Sequence, residues 1–191
     1  MTHSPLIEEF LPLLKALEAN EHFPVLDLAC GRGRNGLYLI ENGINVNFAD
    51  INGESLAHIE RSLEQSKNGK KTIGQCWQVD FEQSTVENEN TTALKHNTFS
   101  AVIVFRYLHR PLFEQLKASI KPGGIIIYET FTEQQAQFGR PKNPDFLLKP
   151  KELVELFSDW NILHSFEGIK PLLNEDETKQ AIAQIVAVKP V

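Results

Sequence analysis

The chain has 191 residues, enough for a single well-filled core, and one domain over residues 1–191 is expected. Hydrophobic residues make up 41% and charged residues 23%, a globular composition that excludes the disordered and fibrous classes. A net charge of -6 argues against a broad electrostatic grip on a nucleic-acid backbone, so no nucleic-acid partner is expected. The two cysteines, Cys30 and Cys76, lie far apart in hydrophobic contexts, which predicts neither a disulfide framework nor a metal cluster and suits a reducing cytoplasm. The opening MTHSPLIEEFLPLL carries Glu8 and Glu9 inside its apolar pattern, unlike a signal peptide. No stretch approaches the ~20 apolar residues of a membrane span.

Ser4 and Pro5 start an N-terminal helix within residues 1–20, running to about Glu18 and bent near Pro12. VLDLAC reads as a buried strand and GRNGLYLIENG as a helix closed by Gly43. INVNFAD is a second strand, ESLAHIERSLEQS a second helix and KTIGQCWQVD a third strand. An Asn/Thr/Glu-rich loop, Phe81 to Asn97, precedes FSAVIVF, a continuous apolar run expected of a strand covered on both faces. Pro111 opens the helix LFEQLKASI, KPGG turns the chain, and GIIIYETF is another buried strand. TEQQAQFGRPKNPDFLLK has no period and leads to the helix PKELVELFSD; residues 130–149 are long and aromatic enough to be a lid or substrate loop. WNILHSFEG and AIAQIVAVKP close the chain as two strands joined without a helix.

Strands joined through helices run parallel, whereas two joined by a loop pair antiparallel. The pattern therefore predicts an α/β, doubly wound, mostly parallel seven-stranded sheet with an antiparallel C-terminal strand. Ligands of such sheets bind at the carboxyl ends of the strands, where the loops after Asp27, Asp50, Asp80, Phe105 and Glu129 open.

GRGRNG is a literal G-x-G-x-x-G, the turn through which nicotinamide cofactors present their pyrophosphate to a helix. Asp27, four residues before Gly31 and inside the strand, argues for a different ligand. A buried carboxylate needs a polar partner, and it would repel a pyrophosphate while accepting from an ammonium. DLACGRGRNGLYL resembles the first motif of class I S-adenosylmethionine-dependent methyltransferases, and GRNGLYL is similar to the small tellurite-resistance-type enzymes. The resemblance covers residues 24 to 190 and implies a Rossmann-like methyltransferase that uses S-adenosyl-L-methionine. It places Asp27 near the methionyl ammonium and the turn through Gly31 and Gly33 against the ligand, with Ala29 in place of the usual first glycine. Asp50 matches the acid that takes both ribose hydroxyls, for which two acceptor oxygens suit a vicinal diol. Asp80 and Phe81 match a carboxylate for the adenine amino group and an apolar residue against the ring. Cys30 and Asn35 flank the glycine turn, Ile51 follows Asp50 and Phe105 ends the fourth strand; these complete the expected cofactor contacts.

The methyl of a sulfonium is already electrophilic, so alignment and water exclusion are the main demands, and a general base is needed only for a protonated acceptor. After the fourth strand comes FRYLHRP, without the Asn/Asp-Pro-Pro-aromatic pattern of enzymes that methylate amino groups of bases or glutamine. Arg106, Tyr107 and His109, with Arg140 from the loop FGRPKNP, are the candidate acceptor and catalytic residues, because arginine suits carboxylates and oxyanions. Between the last two strands the tellurite-resistance enzymes carry a His-Arg segment, whereas this chain has GIKPLLNEDETKQ. The expected activity is methyl transfer to a small molecule, anionic or bearing a thiol, carboxylate or chalcogen oxyanion. The competing readings are a non-catalytic S-adenosylmethionine-binding module and an NAD-dependent oxidoreductase.

Overall fold

In the computed structural model, which describes residues 3–18, 23–65, 74–83, 94–171 and 178–191, the chain begins with helix α1 (Pro5–Glu9). Ser4 Oγ accepts from the Leu6 amide at 3.3 Å, and Pro5 takes the first helical position, where a missing N–H costs nothing. The predicted bend falls at Phe10, so that Pro12 becomes the second residue of α2 (Leu11–Glu18) and interrupts no helical bond.

The strands are β1 (Val25–Leu28), β2 (Val46–Asp50), β3 (Gly74–Gln78), β4 (Phe99–Phe105), β5 (Ile120–Phe131), β6 (Asn161–Pro171) and β7 (Lys179–Val188). Between them run α3 (Arg34–Glu41), α4 (Gly53–Gln65), α5 (Phe113–Ser119) and α6 (Glu152–Leu156). The strands form one seven-stranded sheet in the order β3-β2-β1-β4-β5-β7-β6. The pairs from β3 across to β5 are parallel, and β7 is antiparallel to both β5 and β6, as the helix-free connection predicts.

Three elements differ from the sequence reading. KPGG does not separate a helix from a strand: pairing steps from Phe99–Ile120 to Ala101–Ile125, so the turn is absorbed inside β5 as a bulge with Gly123 at φ 73°. Pro111 lies in a short 3-10 turn, Arg110–Leu112, and α5 starts only at Phe113. PKELVELFSD gives the five residues of α6, because Lys151 is left-handed at φ 64° and the chain turns out after Leu156. Residues 84–93 of the Asn/Thr-rich segment and 172–177 of GIKPLLNEDETKQ lie outside the described residues.

Alternation along the strands divides the core into two layers. Leu26, Leu28, Val104 and Ile185 face α5 and α6 with Phe113, Phe157 and Trp160. Val25, Phe48, Ile103, Ile127 and Val186 face the other way, with Leu6 and Ile7 of α1, Leu39 of α3 and Ile59 of α4. Val25 belongs to this second layer, so the period of two places Asp27 on the same face, toward α3.

At Gly36, a Cβ would stand 2.3 Å from Phe48 Cε1 and 2.8 Å from Asp27 Oδ2. Helix propensity alone favours Gly36→Ala by about 1 kcal/mol. Overpacking reverses the sign, and the variant is expected to lose roughly 1–3 kcal/mol in urea unfolding. A gain in stability would contradict this packing.

Candidate functional site

The chain leaves β1 through a turn in which Ala29, Gly31 and Gly33 have φ of 51°, 54° and 72°. Left-handed backbone at alternate positions coils the segment tightly, and only Ala29 carries a Cβ there, a strained placement. The coil brings the start of α3 back over the end of β1. Asp27, 3% exposed, accepts there from the Gly36 amide at 2.9 Å. Its partner is thus the protein's own backbone, which the sequence reading assigned to a ligand ammonium. Burial pushes the Asp27 carboxyl up to about 8, against the opposing pull of the Gly36 amide and of Arg34.

Asp50, at the end of β2, joins two loops: Oδ2 accepts from the Gly31 amide at 2.7 Å and Oδ1 from the Asn52 amide at 2.8 Å. Asn52 in turn caps α4, its Oδ1 accepting from Ser55 N at 3.0 Å. Gln78 Nε2 donates to the Ile51 carbonyl at 3.0 Å, and the Ile51 side chain is left 60% exposed. After β3, Asp80 Oδ1 accepts from the amides of Glu82 (2.9 Å) and Gln83 (3.3 Å), and buried Phe81 meets Trp77 edge-on.

These loops surround a cavity of about 320 Å³. Ala29, Asp50, Ile51, Asp80 and Phe81 line it, together with Arg106 and Tyr107 from the far side of the predicted set. Val79 and Glu82 line it as well and were missed in the sequence, where nothing but their neighbours marks them. Three carboxylates, Asp50, Asp80 and Glu82, therefore face one guanidinium.

The other predicted cofactor residues sit behind this lining. Cys30 and Gly33 close the turn, the Gly33 amide donating to the Cys30 carbonyl at 2.9 Å. Burial raises the Cys30 thiol far above its usual range and keeps it protonated. Buried Asn35 accepts from Ser4 N at 2.9 Å and pins the N-terminal helices to α3. Phe105 is 8% exposed, packed in the layer beneath α1.

The four acceptor candidates go to different places. Arg106 has a left-handed backbone at φ 63°; its Nη2 donates to Gln180 Oε1 at 2.5 Å, and Nε stands 3.4 Å from Glu129 Oε1. Tyr107 is held protonated by burial, and its carbonyl accepts from the Tyr128 hydroxyl at 2.8 Å. His109 turns toward the α5 layer: Nε2 is buried without a hydrogen-bond partner, beside a pocket walled by Leu112, Phe113 and Tyr128 with no room for water. Arg140 is exposed and lines neither pocket. Glu129 and Gln184, missed in the sequence, extend the Arg106 cluster, with Gln184 Nε2 donating to Glu129 Oε2 at 2.5 Å. The signal was available: each interrupts a continuous apolar run, IIIYETF or AIAQIVAV, as Asp27 does in VLDL.

Segment 132–149 is tied down at both ends. Leu148 N donates to the Phe131 carbonyl and Glu133 N to the Leu148 carbonyl, both at 2.9 Å. Gln135 Oε1 accepts from Ala181 N at 2.8 Å. Arg110 grips Glu152 with two bonds of 2.6 and 2.8 Å and donates to the carbonyls of Asp145 and Leu147.

A mixed sheet of this order, with a carboxylate-lined cavity at the carboxyl ends of β1, β2 and β3, defines the Rossmann-like class I methyltransferase fold. Residues 7–187 match the family model described as tellurite resistance protein TehB, and the chain belongs to that family. A probable S-adenosyl-L-methionine-dependent methyltransferase TehB of Haemophilus influenzae is 27% identical over 163 residues, 83% of this chain and 53% of the relative. The crystal structure of TehB from Haemophilus influenzae superposes with a TM-score of 0.70 at 22% identity, covering 93% of this chain and 61% of that one. A SAM-dependent methyltransferase from Methanosarcina mazei superposes with a TM-score of 0.67 at 19% identity over 100% of both chains. The chain spans about half the length of the curated relatives it matches, 53%. Among the described residues no helix is long and apolar enough to cross a membrane.

The buried carboxyl has a measurable signature. Its folded value of about 8 lies above the ordinary 3.8, so between these limits the folded state holds a proton that the unfolded state has lost, and stability falls as pH rises. Asp27→Asn keeps an acceptor for Gly36 and removes the titration. Its stability relative to wild type is expected to rise steadily from pH 5 to pH 8 in urea unfolding. Parallel curves for the two proteins would refute the buried-acid assignment.

Proposed function

We propose that this protein binds S-adenosyl-L-methionine in the 320 Å³ cavity and transfers its methyl group to a small-molecule acceptor. The observation that carries the reading is Asp50: each carboxylate oxygen is fixed by one backbone amide and keeps acceptor capacity, the arrangement a vicinal diol requires. The volume falls at the low end of the roughly 300–1,000 Å³ of small-ligand sites. Three carboxylates against one arginine favour a cationic ligand and disfavour a pyrophosphate, which argues against the nicotinamide reading.

In this assignment Asp50 holds the ribose, Asp80 the adenine amino group, and Ile51, Val79 and Phe81 supply apolar surface for the ring. Gly31 and Gly33 shape the turn beside the methionyl group, with Asp27 beneath them. An ammonium arriving near Asp27 would favour its ionised form. When bound, S-adenosylmethionine supplies an electrophilic methyl, and the protein's task is to align the acceptor and keep water out. Tyr107 and Cys30 are held protonated, and His109 Nε2 faces the α5 layer, so none is poised as a base. That supports an acceptor arriving with its lone pair already available, such as a carboxylate, a thiolate or a chalcogen oxyanion. The tethers at the ends of segment 132–149 support reading it as a fixed strap rather than a hinged lid; Arg140, on its exposed surface, stands outside the proposed chemistry.

Calorimetric titration with S-adenosylmethionine, S-adenosylhomocysteine and NAD is expected to show binding of the two sulfur compounds alone. Asp50→Ala should weaken both roughly tenfold or more, the loss of charge-assisted hydrogen bonds. NAD binding, or unchanged affinity in a variant that keeps its melting temperature, would overturn the assignment. Acceptor-dependent release of S-adenosylhomocysteine separates an enzyme from a cofactor-binding module.

A further inference from the structure

Near the carboxyl end of β5, where it pairs with β7, on the face covered by α1, lies a cluster of polar side chains built around Glu129, Gln180 and Gln184. They are 5%, 8% and 6% exposed. Two cations enter it from opposite sides. Arg106 comes from the cavity and donates to Gln180 Oε1 at 2.5 Å. Lys170 comes from β6, and its Nζ donates to Gln184 Oε1 at 3.0 Å, an oxygen that also lies 3.3 Å from His164 Nε2. Each lies over an aromatic ring, Arg106 4.4 Å from the centroid of Phe131 and Lys170 4.1 Å from that of Phe166. Gln184 links them, since its amide donates to Glu129, whose other oxygen faces Arg106.

The charges in this cluster do not balance: one carboxylate stands against two cations, and the shortest contact of each cation is to a neutral amide oxygen. A half-buried cation gains more from an anion than from an amide, roughly a factor of two in hydrogen-bond strength. Arg106 Nε is buried and meets Glu129 Oε1 only at 3.4 Å, without hydrogen-bond geometry. Its backbone, moreover, takes a left-handed conformation that glycine would adopt without strain. A long, charged residue in a strained backbone on a cavity wall is poorly explained by stability.

We propose that Arg106 and Lys170 form an anion-recognition pair in the acceptor subsite, with Gln180 and Gln184 as exchangeable neutral ligands, and that the acceptor is a small organic molecule bearing a carboxylate. A planar carboxylate matches the guanidinium fork and replaces the amide oxygens, while Glu129 holds Arg106 in place and tempers the positive charge. The proposal rests on the methyl-donor reading of the cavity only for its role; the pair itself stands on the contacts above.

The test uses the full chain saturated with S-adenosylhomocysteine, titrated with benzoate, malonate and succinate and with the matching neutral amides. At least one carboxylate should bind, its amide about tenfold more weakly. Lys170→Gln should weaken that carboxylate roughly tenfold, whereas Glu129→Gln should tighten it, a reversal that a purely structural role would not produce. Absence of carboxylate binding, equal binding of acid and amide, or no effect of Lys170→Gln would overturn the proposal. Failure of S-adenosylhomocysteine to bind would instead count against the cofactor reading, and the same titrations on the free protein would still decide the pair.

Discussion

A carboxylate buried at the tip of β1 has to be met, and the meeting of Asp27 with the Gly36 amide at 2.9 Å organises the site around it. The N-terminus of α3 carries unpaired amides and a partial positive charge, so it is a suitable partner, but the chain must double back within a few residues to present it. That demand explains the left-handed residues between Leu28 and Arg34 and the missing side chain at Gly36, where Phe48 and the carboxylate leave no room. Once α3 is seated, Asn35 is directed at Ser4 and docks the N-terminal helices. The same coil turns the Gly31 amide outward, where Asp50 captures it. The Asp27–Gly36 bond, with those from Ser4 to Asn35 and from Gly31 to Asp50, thus ties β1, β2, α1 and α3 into one cluster.

The acids of this region do different work because their surroundings differ. Asp27 lies in the core and is pushed toward its neutral form. Asp50, at the cavity wall, has an amide on each oxygen, while Asp80 turns one oxygen back onto its own loop. Divergent environments for neighbouring titratable groups are the usual mark of a site where charge is being managed. Under the proposed reading, the acids on the β1–β3 side suit a positively charged ligand. Arg106 marks the change of sign toward β5 and β7. A sulfonium donor facing an anionic acceptor would match that polarity.

The sheet was largely legible because its signals are local. FSAVIVF is β4 to the residue, alternation separates the two core layers, and the helix-free link between the last strands fixes β7 as antiparallel. What was not legible depends on partners distant in the chain. Arg106, Arg110 and Arg140 look alike in sequence. One reaches Gln180, one clasps Glu152 and one is exposed, and only tertiary contacts separate them. His109 was placed at the methyl end by its position after β4, yet the 3-10 turn that follows rotates its ring toward α5. KPGG contains every residue of a turn and still lies within β5, since β4 pairs with the chain on both sides of the bulge.

Arg110 sets the course of the chain into α6. Its two bonds to Glu152 lower the carboxyl and raise the guanidinium, so the shifts of the two partners agree. Side-chain exposures of 35% and 17% temper the strength of such a pair. Its value lies in geometry: a planar fork joined to two further carbonyls fixes the direction of the chain from Asp145 to Glu152. With Gln135 bonded to β7 and Leu148 to the end of β5, the long segment is anchored at both ends, and its middle is held through the bond from Gln135 Nε2 to the Arg140 carbonyl. A hinged closure would have to break several of these bonds together. Under the proposed reading, a segment anchored in this way would cost no reorganisation when a ligand enters.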